Sequence, residues 1–322
     1  MIEVQHLTKS FRIPVSGKGR WDKIHALLTG KHEEKKAVHD ISFQVDRGEF
    51  VGYIGPNGAG KSTTIKMLTG ILHPSSGAVL IDGRSPHRAR RQVVRKLGVV
   101  FGQRSQLWWD LPVKDSFDIL AAMYNIDPVQ KRRTLSELSE LLQLDEFIRT
   151  PVRKLSLGQR MRGDLAAAML HNPDILFLDE PTIGLDIVAK KAIRSLLKSL
   201  NRDLGKTILL TTHDMDDIEQ LCERVMVINR GQLAYDGTID GLRERIGLPT
   251  LIKISFAEPM HIPPDWSGGF TIVERNGTSM TVQCNRKNIQ AMEVLRQIEQ
   301  WGTIEDVHME EPDFEEVIHR IY

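Results

Sequence analysis

The chain has 322 residues, 41% hydrophobic and 26% charged, with a net charge of +1; that length supports one large core plus a smaller one, so two domains are expected. The near-neutral balance gives no general attraction to polyanions, so composition lends nucleic-acid binding no support. Cys222 and Cys284 stand far apart and outside metal-ligand spacing, as reduced thiols in a cytosolic protein do, no apolar run approaches the roughly 18 residues that span a bilayer, and Met1 to His6 reads as neither signal nor transit peptide.

Ile2 to Leu7 alternates weakly, and Ala37 to Val45 alternates up to the turn signal Asp46-Arg-Gly48, so a strand pair is expected ahead of residue 50. Between them Arg12 to Lys36 reads as a basic insertion, with Arg12, Lys18, Arg20, Lys23, Lys31, Lys35 and Lys36 against Asp22, Glu33 and Glu34. Trp21, Ile24, Leu27 and Leu28 share a helical face there; a short basic amphipathic helix and a solvated loop both fit.

Phe50 to Ile54 is an apolar strand, Gly55-Pro56-Asn57-Gly58-Ala59-Gly60-Lys61-Ser62-Thr63 follows, and a helix starts at about Thr63. This strand, loop, helix order gives the P-loop pattern G-x-x-x-x-G-K-[ST] its mechanical meaning: backbone amides curl into an anion nest at a positive helix end. Lys61 opposes the helix dipole unless an anion neutralises it, so the loop is expected to bind a nucleotide's phosphates.

Ala78 to Ile81 reads as a strand closed by Asp82-Gly83, and Leu97 to Gln103 as another. From Arg104 to about Thr150 apolar spacing turns helical, over Val113 to Ile126 and Thr134 to Leu144, which predicts an inserted α subdomain. Trp108 and Trp109 open it, either one exposed for a partner or both covering its end. Asp174 to Pro181 and Thr207 to His213 are apolar on both faces, as central parallel strands are, and Ile187 to Leu204 is the crossover helix between them. A helix over Asp214 to Cys222, a strand and turn over Arg224 to Gly231 and a β-turn-β segment over Gln232 to Thr238 complete the first domain.

The boundary is expected near Gly247-Leu-Pro249. Beyond it a strand (Thr250 to Phe256), a hairpin (Thr271 to Gln283) turning at Asn276-Gly277 in type I′ geometry, a helix (Asn288 to Trp301), a strand (Thr303 to Met309) and a helix (Asp313 to Ile321) make a small α+β domain.

Asp179 and Glu180 end a buried strand, where adjacent carboxylates repel unless a cation or proton is shared. A magnesium nucleotide supplies that cation, and strand alternation would point one acid to Mg²⁺ and the other to an attacking water.

With these pieces in place, residues 1 to about 240 closely resemble the ATP-binding cassette (ABC) ATPases. Gly55 to Thr63 looks like the Walker A loop, Ile175 to Glu180 the Walker B strand with the catalytic glutamate, Gln103 the Q-loop glutamine, Gly184-Leu185-Asp186 the D-loop and His213 the switch histidine. Leu155-Ser156-Leu157-Gly158-Gln159 is similar to the LSGGQ signature, departing at Leu157, where glycine is usual. The resemblance implies an α/β fold: a P-loop NTPase ABC cassette at 1–245 with a RecA-like parallel core, an antiparallel β subdomain, the 12–36 insertion and a helical subdomain at 104–165, then a C-terminal α+β domain at 246–322.

It also implies roles. Lys61 would hold the β and γ phosphates of ATP; Ser62, Gln103 and Asp179 would hold Mg²⁺; Glu180 would be general base and His213 a γ-phosphate contact. Phe11 would stack on adenine, with Trp21 the fallback, and Ser156, Gly158 and Gln159 would face the γ-phosphate of a second cassette, most simply in a homodimer. The implied assembly adds a separate integral membrane permease that holds the ATPase on the cytosolic face, in the exporter direction, with no nucleic-acid partner. A soluble ABC ATPase acting on ribosome or DNA is the rival, disfavoured by a single cassette without sustained heptads. A nucleotide switch without turnover is a third reading, against which Glu180 and His213 both argue.

Overall fold

A computed structural model describes residues 1–14, 32–102, 104–246, 249–263, 268–285, 289–310 and 318. Its N-terminal pair is long: β1 (Ile2–Pro14) and β2 (His32–Val45) run antiparallel, and β4 (Ser76–Ile81) pairs on the other side of β1. Ile2, Val4 and Leu7 on β1 and Val38, Ile41 and Val45 on β2 are buried, which is the apolar phase of the alternation. Arg12 and the 34–36 stretch, expected within an insertion, continue these strands in register, Arg12 opposite Glu34. Backbone hydrogen bonds carry a strand pair past its apolar core. The helical face of Trp21, Ile24, Leu27 and Leu28 lies outside the described residues.

Among the described residues the main sheet has six strands in the order β5-β6-β7-β3-β8-β9. These are β3 (Phe50–Ile54), β5 (Leu97–Phe101), β6 (Ile175–Asp179), β7 (Thr207–Thr211), β8 (Arg224–Asn229) and β9 (Gln232–Thr238). From β5 to β8 the neighbours are parallel, and every residue of β3 and β7 is buried. All-apolar strands are what a sheet covered on both faces requires. Segment 232–238 is one strand rather than the expected β-turn-β.

Helix α1 (Lys61–Leu68) follows β3, and the short α2 (Arg90–Val94) precedes β5. The helical insertion holds α3 (Val113–Tyr124), α4 (Pro128–Leu142) and α5 (Leu157–Met169). Helix α4 starts at Pro128, before the expected Thr134, because the Asp127 side chain accepts from the amides of Val129 and Gln130 and proline suits the first helical position. Helices α6 (Ile187–Arg202) and α7 (Met215–Leu221) flank β7 in sequence.

Helix α5 buries a carboxylate. Asp164 accepts from the Ser105 hydroxyl at 2.9 Å and the Gln106 amide at 2.8 Å. Burial outweighs these bonds and pushes its pKa up to about 6. The folded state therefore holds a proton that the unfolded chain gives up near pH 4, and stability falls as pH rises from about 4 to 6. Asp164→Asn keeps the acceptor oxygen without the buried charge. It is expected to melt higher than the parent at pH 7.5, by a few degrees for about 1–2 kcal/mol relieved, the gap closing toward pH 4. A lower melting temperature at pH 7.5 would show instead that the ionised carboxylate stabilises the fold.

The chain divides into two units, Met1–Asp236 and Gly237–Tyr322. The second contains α8 (Ile239–Ile246), β10 (Thr250–Phe256), β11 (Phe270–Asn276), β12 (Ser279–Cys284), α9 (Ala291–Ile298) and β13 (Ile304–Glu310). Its sheet is antiparallel in the order β11-β12-β10-β13, with Ile252, Ile254, Val282, Val294, Ile298 and Trp301 in the core. The hairpin turns one residue later than expected: Asn276 pairs with Ser279, and Gly277, not Asn276, takes a positive φ of 57°. Positive φ at only the first central residue is the type II′ pattern, which glycine alone satisfies cheaply. The expected helix over Asp313 to Ile321 lies outside the described residues apart from Ile318.

Candidate nucleotide site

The P-loop bridges β3 and α1 under tight constraint. Gly60 has φ 112°, and a Cβ on it would lie 2.5 Å from the Ala37 carbonyl oxygen, so only glycine fits. The loop is pinned by Ala59 N to Pro56 O at 3.1 Å and Gly231 N to Ala59 O at 3.0 Å. Helix α1 begins without a side-chain cap or an acid in its first turn, so its first amides are donors for an anion. Lys61 is buried, and its Nζ donates to Gly55 O at 2.5 Å and Pro56 O at 3.3 Å. Burial lowers its pKa, against the upward pull of Glu180 and Asp179.

The acids reach this loop from the end of β6. Asp179 accepts from the Ser62 hydroxyl at 3.3 Å and from the Thr211 hydroxyl at 2.5 Å. Glu180 lies 3.5 Å from His213 Nδ1 through its Oε2. The two carboxylates part company for a reason that alternation did not supply. Strand β6 ends at Asp179, and Glu180 turns out of it with φ 56°, a sparsely populated conformation for glutamate. It is held there by Glu180 N to Thr211 O at 2.8 Å. Ser62, Lys66, Ile71, Phe101, Gly102, Arg104, Asp179 and Glu180 border one cleft. Gln103 lies outside the described residues; its neighbour Gly102 donates to Asp179 O at 2.7 Å.

Phe11 is 39% exposed on β1 and borders a second hollow with Lys35, Lys36, Ala37, Gly58, Arg230 and Gly231. Ser156, Gly158 and Gln159 border neither hollow. They form the start of α5, where Ser156 Oγ accepts from Gln159 N at 3.2 Å and Gln159 Oε1 accepts from Ser156 N at 3.1 Å, a reciprocal capping box. This accounts for serine and glutamine three residues apart on folding grounds alone.

The pattern of the ABC transporter family matches residues 38–183. The ABC transporter ATP-binding protein NatA of Bacillus subtilis (strain 168) is 33% identical over 214 residues, 66% of this chain and 87% of that protein. The chain belongs to the ABC transporter family. It is an ATPase subunit of the ABC type. The Nod factor export ATP-binding protein I of Burkholderia thailandensis is 39% identical over 207 residues, 64% of this chain and 67% of that one. Among solved structures, the dimeric post-hydrolysis state of the ATP-binding cassette MJ0796 bound to ADP and Pi superposes with a TM-score of 0.62 at 26% identity, covering 74% of this chain and 98% of that one.

Within this ABC cassette the sequence reading missed residues that only the fold brings to the site. Thr211 braces Asp179 and Glu180 together; a hydroxyl ending an apolar strand two residues before a histidine was the available signal. Leu157, the departure from the signature, reaches the D-loop: a Cβ on Gly184 would lie 3.1 Å from Leu157 Cδ2. Trp108 and Trp109 are 38% and 54% exposed, and the Arg160 guanidinium, next to the signature, lies 5.9 Å from the Trp109 ring.

Proposed function

We propose that this chain is the ATPase subunit of an ABC exporter, in which two copies enclose two ATP molecules and drive a separate integral membrane permease from its cytosolic face. The observation that carries the catalytic part is the convergence of Lys61, Ser62, Asp179, Glu180 and His213 at the ends of parallel strands, where open α/β sheets bind ligands. Lys61 holds the β and γ phosphates by exchanging its bonds to the loop carbonyls for phosphate oxygens. The Ser62 hydroxyl and Asp179 carboxylate, 3.3 Å apart, are an oxygen pair suited to a small hard cation, so these two, with Gln103, hold Mg²⁺. When bound, the metal neutralises charge on the phosphates. Glu180 accepts the proton of the attacking water, and His213 contacts the γ-phosphate.

Phe11, beside Gly58 in the second hollow, stacks on adenine. Ser156, Gly158 and Gln159 act on the opposite copy's ATP: the exposed Ser156 hydroxyl accepts from Gln159 N and still has its own hydrogen to donate to a γ-phosphate oxygen. The dimeric neighbour MJ0796 supports that assembly, and the relative named for Nod factor export supports the outward direction. Two copies per site make specific activity rise with protein concentration. Phosphate release that stays proportional to protein across the range where mass in solution doubles counts against the shared site, and a tagged chain that brings no integral membrane protein out of solubilised membranes counts against the permease.

Residues 246–322 lie outside this chemistry and regulate pairing of the cassettes; among the described residues β11 and β13 are the outer strands of their sheet, and outer strands are where another chain can pair. Removing residues 250–322 is expected to leave the ATP dissociation constant within about threefold, roughly 0.6 kcal/mol, and to weaken dimerisation. Equilibrium nucleotide binding and sedimentation of both chains check this, and unchanged association would remove the regulatory role.

A further inference from the structure

Behind the site lies a charged network that the roles above do not use. Asp217 on α7 is fully buried, and its carboxylate takes three hydrogen bonds: it accepts from Thr182 Oγ1 at 2.5 Å, Thr212 Oγ1 at 3.2 Å and Arg194 Nε at 2.5 Å. Arg194 also donates to Asp214 Oδ1 at 3.2 Å, and Lys190, one helical turn earlier on α6, donates to Asp214 Oδ2 at 2.5 Å. Helix α6 begins directly after Asp186, the last residue of the D-loop, whose side chain caps it by accepting from Ala189 N at 2.8 Å. The groups so tied are telling. Thr212 and Asp214 flank His213 on both sides, and Thr182 lies two residues after Glu180.

We propose that Arg194, Asp217 and Thr182 are positioning residues for hydrolysis: their shared buried bridge fixes the D-loop helix to the segment carrying His213, and so sets His213 against Glu180. The proposal rests on the reading of Glu180 and His213 as hydrolytic groups. A bridge serving stability alone has no need to hold both neighbours of one exposed histidine. Buried ion pairs are poor sources of net stability, since desolvation offsets most of their attraction, whereas a guanidinium fork shared between two carboxylates fixes direction as well as distance. Motion of the D-loop when two copies meet is transmitted through α6 to His213 by a rigid link rather than through solvent.

The test uses the full chain and three variants. Thr182→Val has the same shape without the hydroxyl, Thr182→Ser keeps the hydroxyl, and Arg194→Lys keeps the charge without the fork. Phosphate release gives kcat and KM for magnesium ATP, melting temperature is followed in parallel, and Glu180→Gln is the control. Misplacement of a reacting group by about 1 Å can cost a hundredfold, so Thr182→Val and Arg194→Lys are expected to lose tenfold or more in kcat with KM within about twofold. Thr182→Ser is expected to stay within about twofold of the parent in both. If Thr182→Val and Arg194→Lys melt lower but keep the parent's kcat, the bridge only stabilises the fold and the proposal is overturned. Equal losses in Thr182→Ser and Thr182→Val overturn it too, because the hydroxyl is then not the link. A hydrolysing Glu180→Gln would remove the underlying site reading, whereas an inactive Glu180→Gln beside fully active bridge variants removes this inference alone.

Discussion

Glu180→Gln is expected to bind ATP like the parent and to release phosphate at least a hundredfold more slowly. The amide is nearly isosteric, so the φ of 56° and the bond from Glu180 N to Thr211 O stay available to it. What it loses is the capacity to take a proton from water, and general-base catalysis is worth about 10² to 10⁴ in rate. The phosphate-binding parts, Lys61 with the first amides of α1, do not involve the Glu180 side chain in any bond. Binding and turnover should therefore separate. Because each of the two proposed copies grips ATP held by the other, and this variant leaves that ATP uncleaved, ATP should also hold it as a dimer. Single-turnover phosphate release and sedimentation with and without ATP measure both effects. Parent-like release would mean that another group serves as base, and loss of ATP binding would mean that Glu180 shapes the pocket rather than the chemistry.

Local chemistry was legible in the sequence, and long-range chemistry was not. The strand, glycine loop and helix over residues 50–68 stand in the expected order because the pattern acts through contiguous backbone, and Gly60 at φ 112° is where the pattern demands it. The all-apolar strands ending at Asp179 and near His213 gave the parallel core, because burial on both faces leaves a compositional trace. Strand order left none. Placing β3 between β7 and β8 depends on crossovers that no local pattern encodes. The separation of Asp179 from Glu180 was expected from alternation and arises instead from a strand that stops one residue earlier. The missed start of α4 had a signal, Asp127 before Pro128, that apolar periodicity overlooked. Asp217 was invisible for a different reason: its partners Thr182 and Arg194 are remote in sequence, and an acid in a run with Asp214 and Asp216 reads as a solvated helix face until the fold buries it.

Gly102→Ala, a single added methyl outside every recognised motif residue, is expected to damage catalysis nearly as much as losing the base. A Cβ at Gly102 would lie 2.1 Å from the Glu180 carbonyl oxygen, 2.9 Å from its carbon and 3.1 Å from the Asp179 carbonyl oxygen. All three atoms are backbone, so no side chain can swing away. Relief requires either the end of β5 to peel from β6, breaking Gly102 N to Asp179 O at 2.7 Å, or the Glu180 peptide to turn, straining Glu180 N to Thr211 O at 2.8 Å. Both routes move the carboxylate that faces His213. Overpacking of this kind costs about 1–3 kcal/mol of stability, and a displacement of about 1 Å at a reacting group costs up to about a hundredfold in rate. The expected result is a kcat lowered by one to two orders of magnitude, a melting temperature lowered by several degrees, and an ATP affinity changed little, since the phosphate cradle is built on β3 and α1. Affinity falling together with kcat would show that the distortion spreads through Asp179 and Ser62 into the P-loop. Parent-like kcat at an unchanged melting temperature would mean that β5 yields freely, and the close approach of Gly102 to Glu180 would then have no part in placing the base.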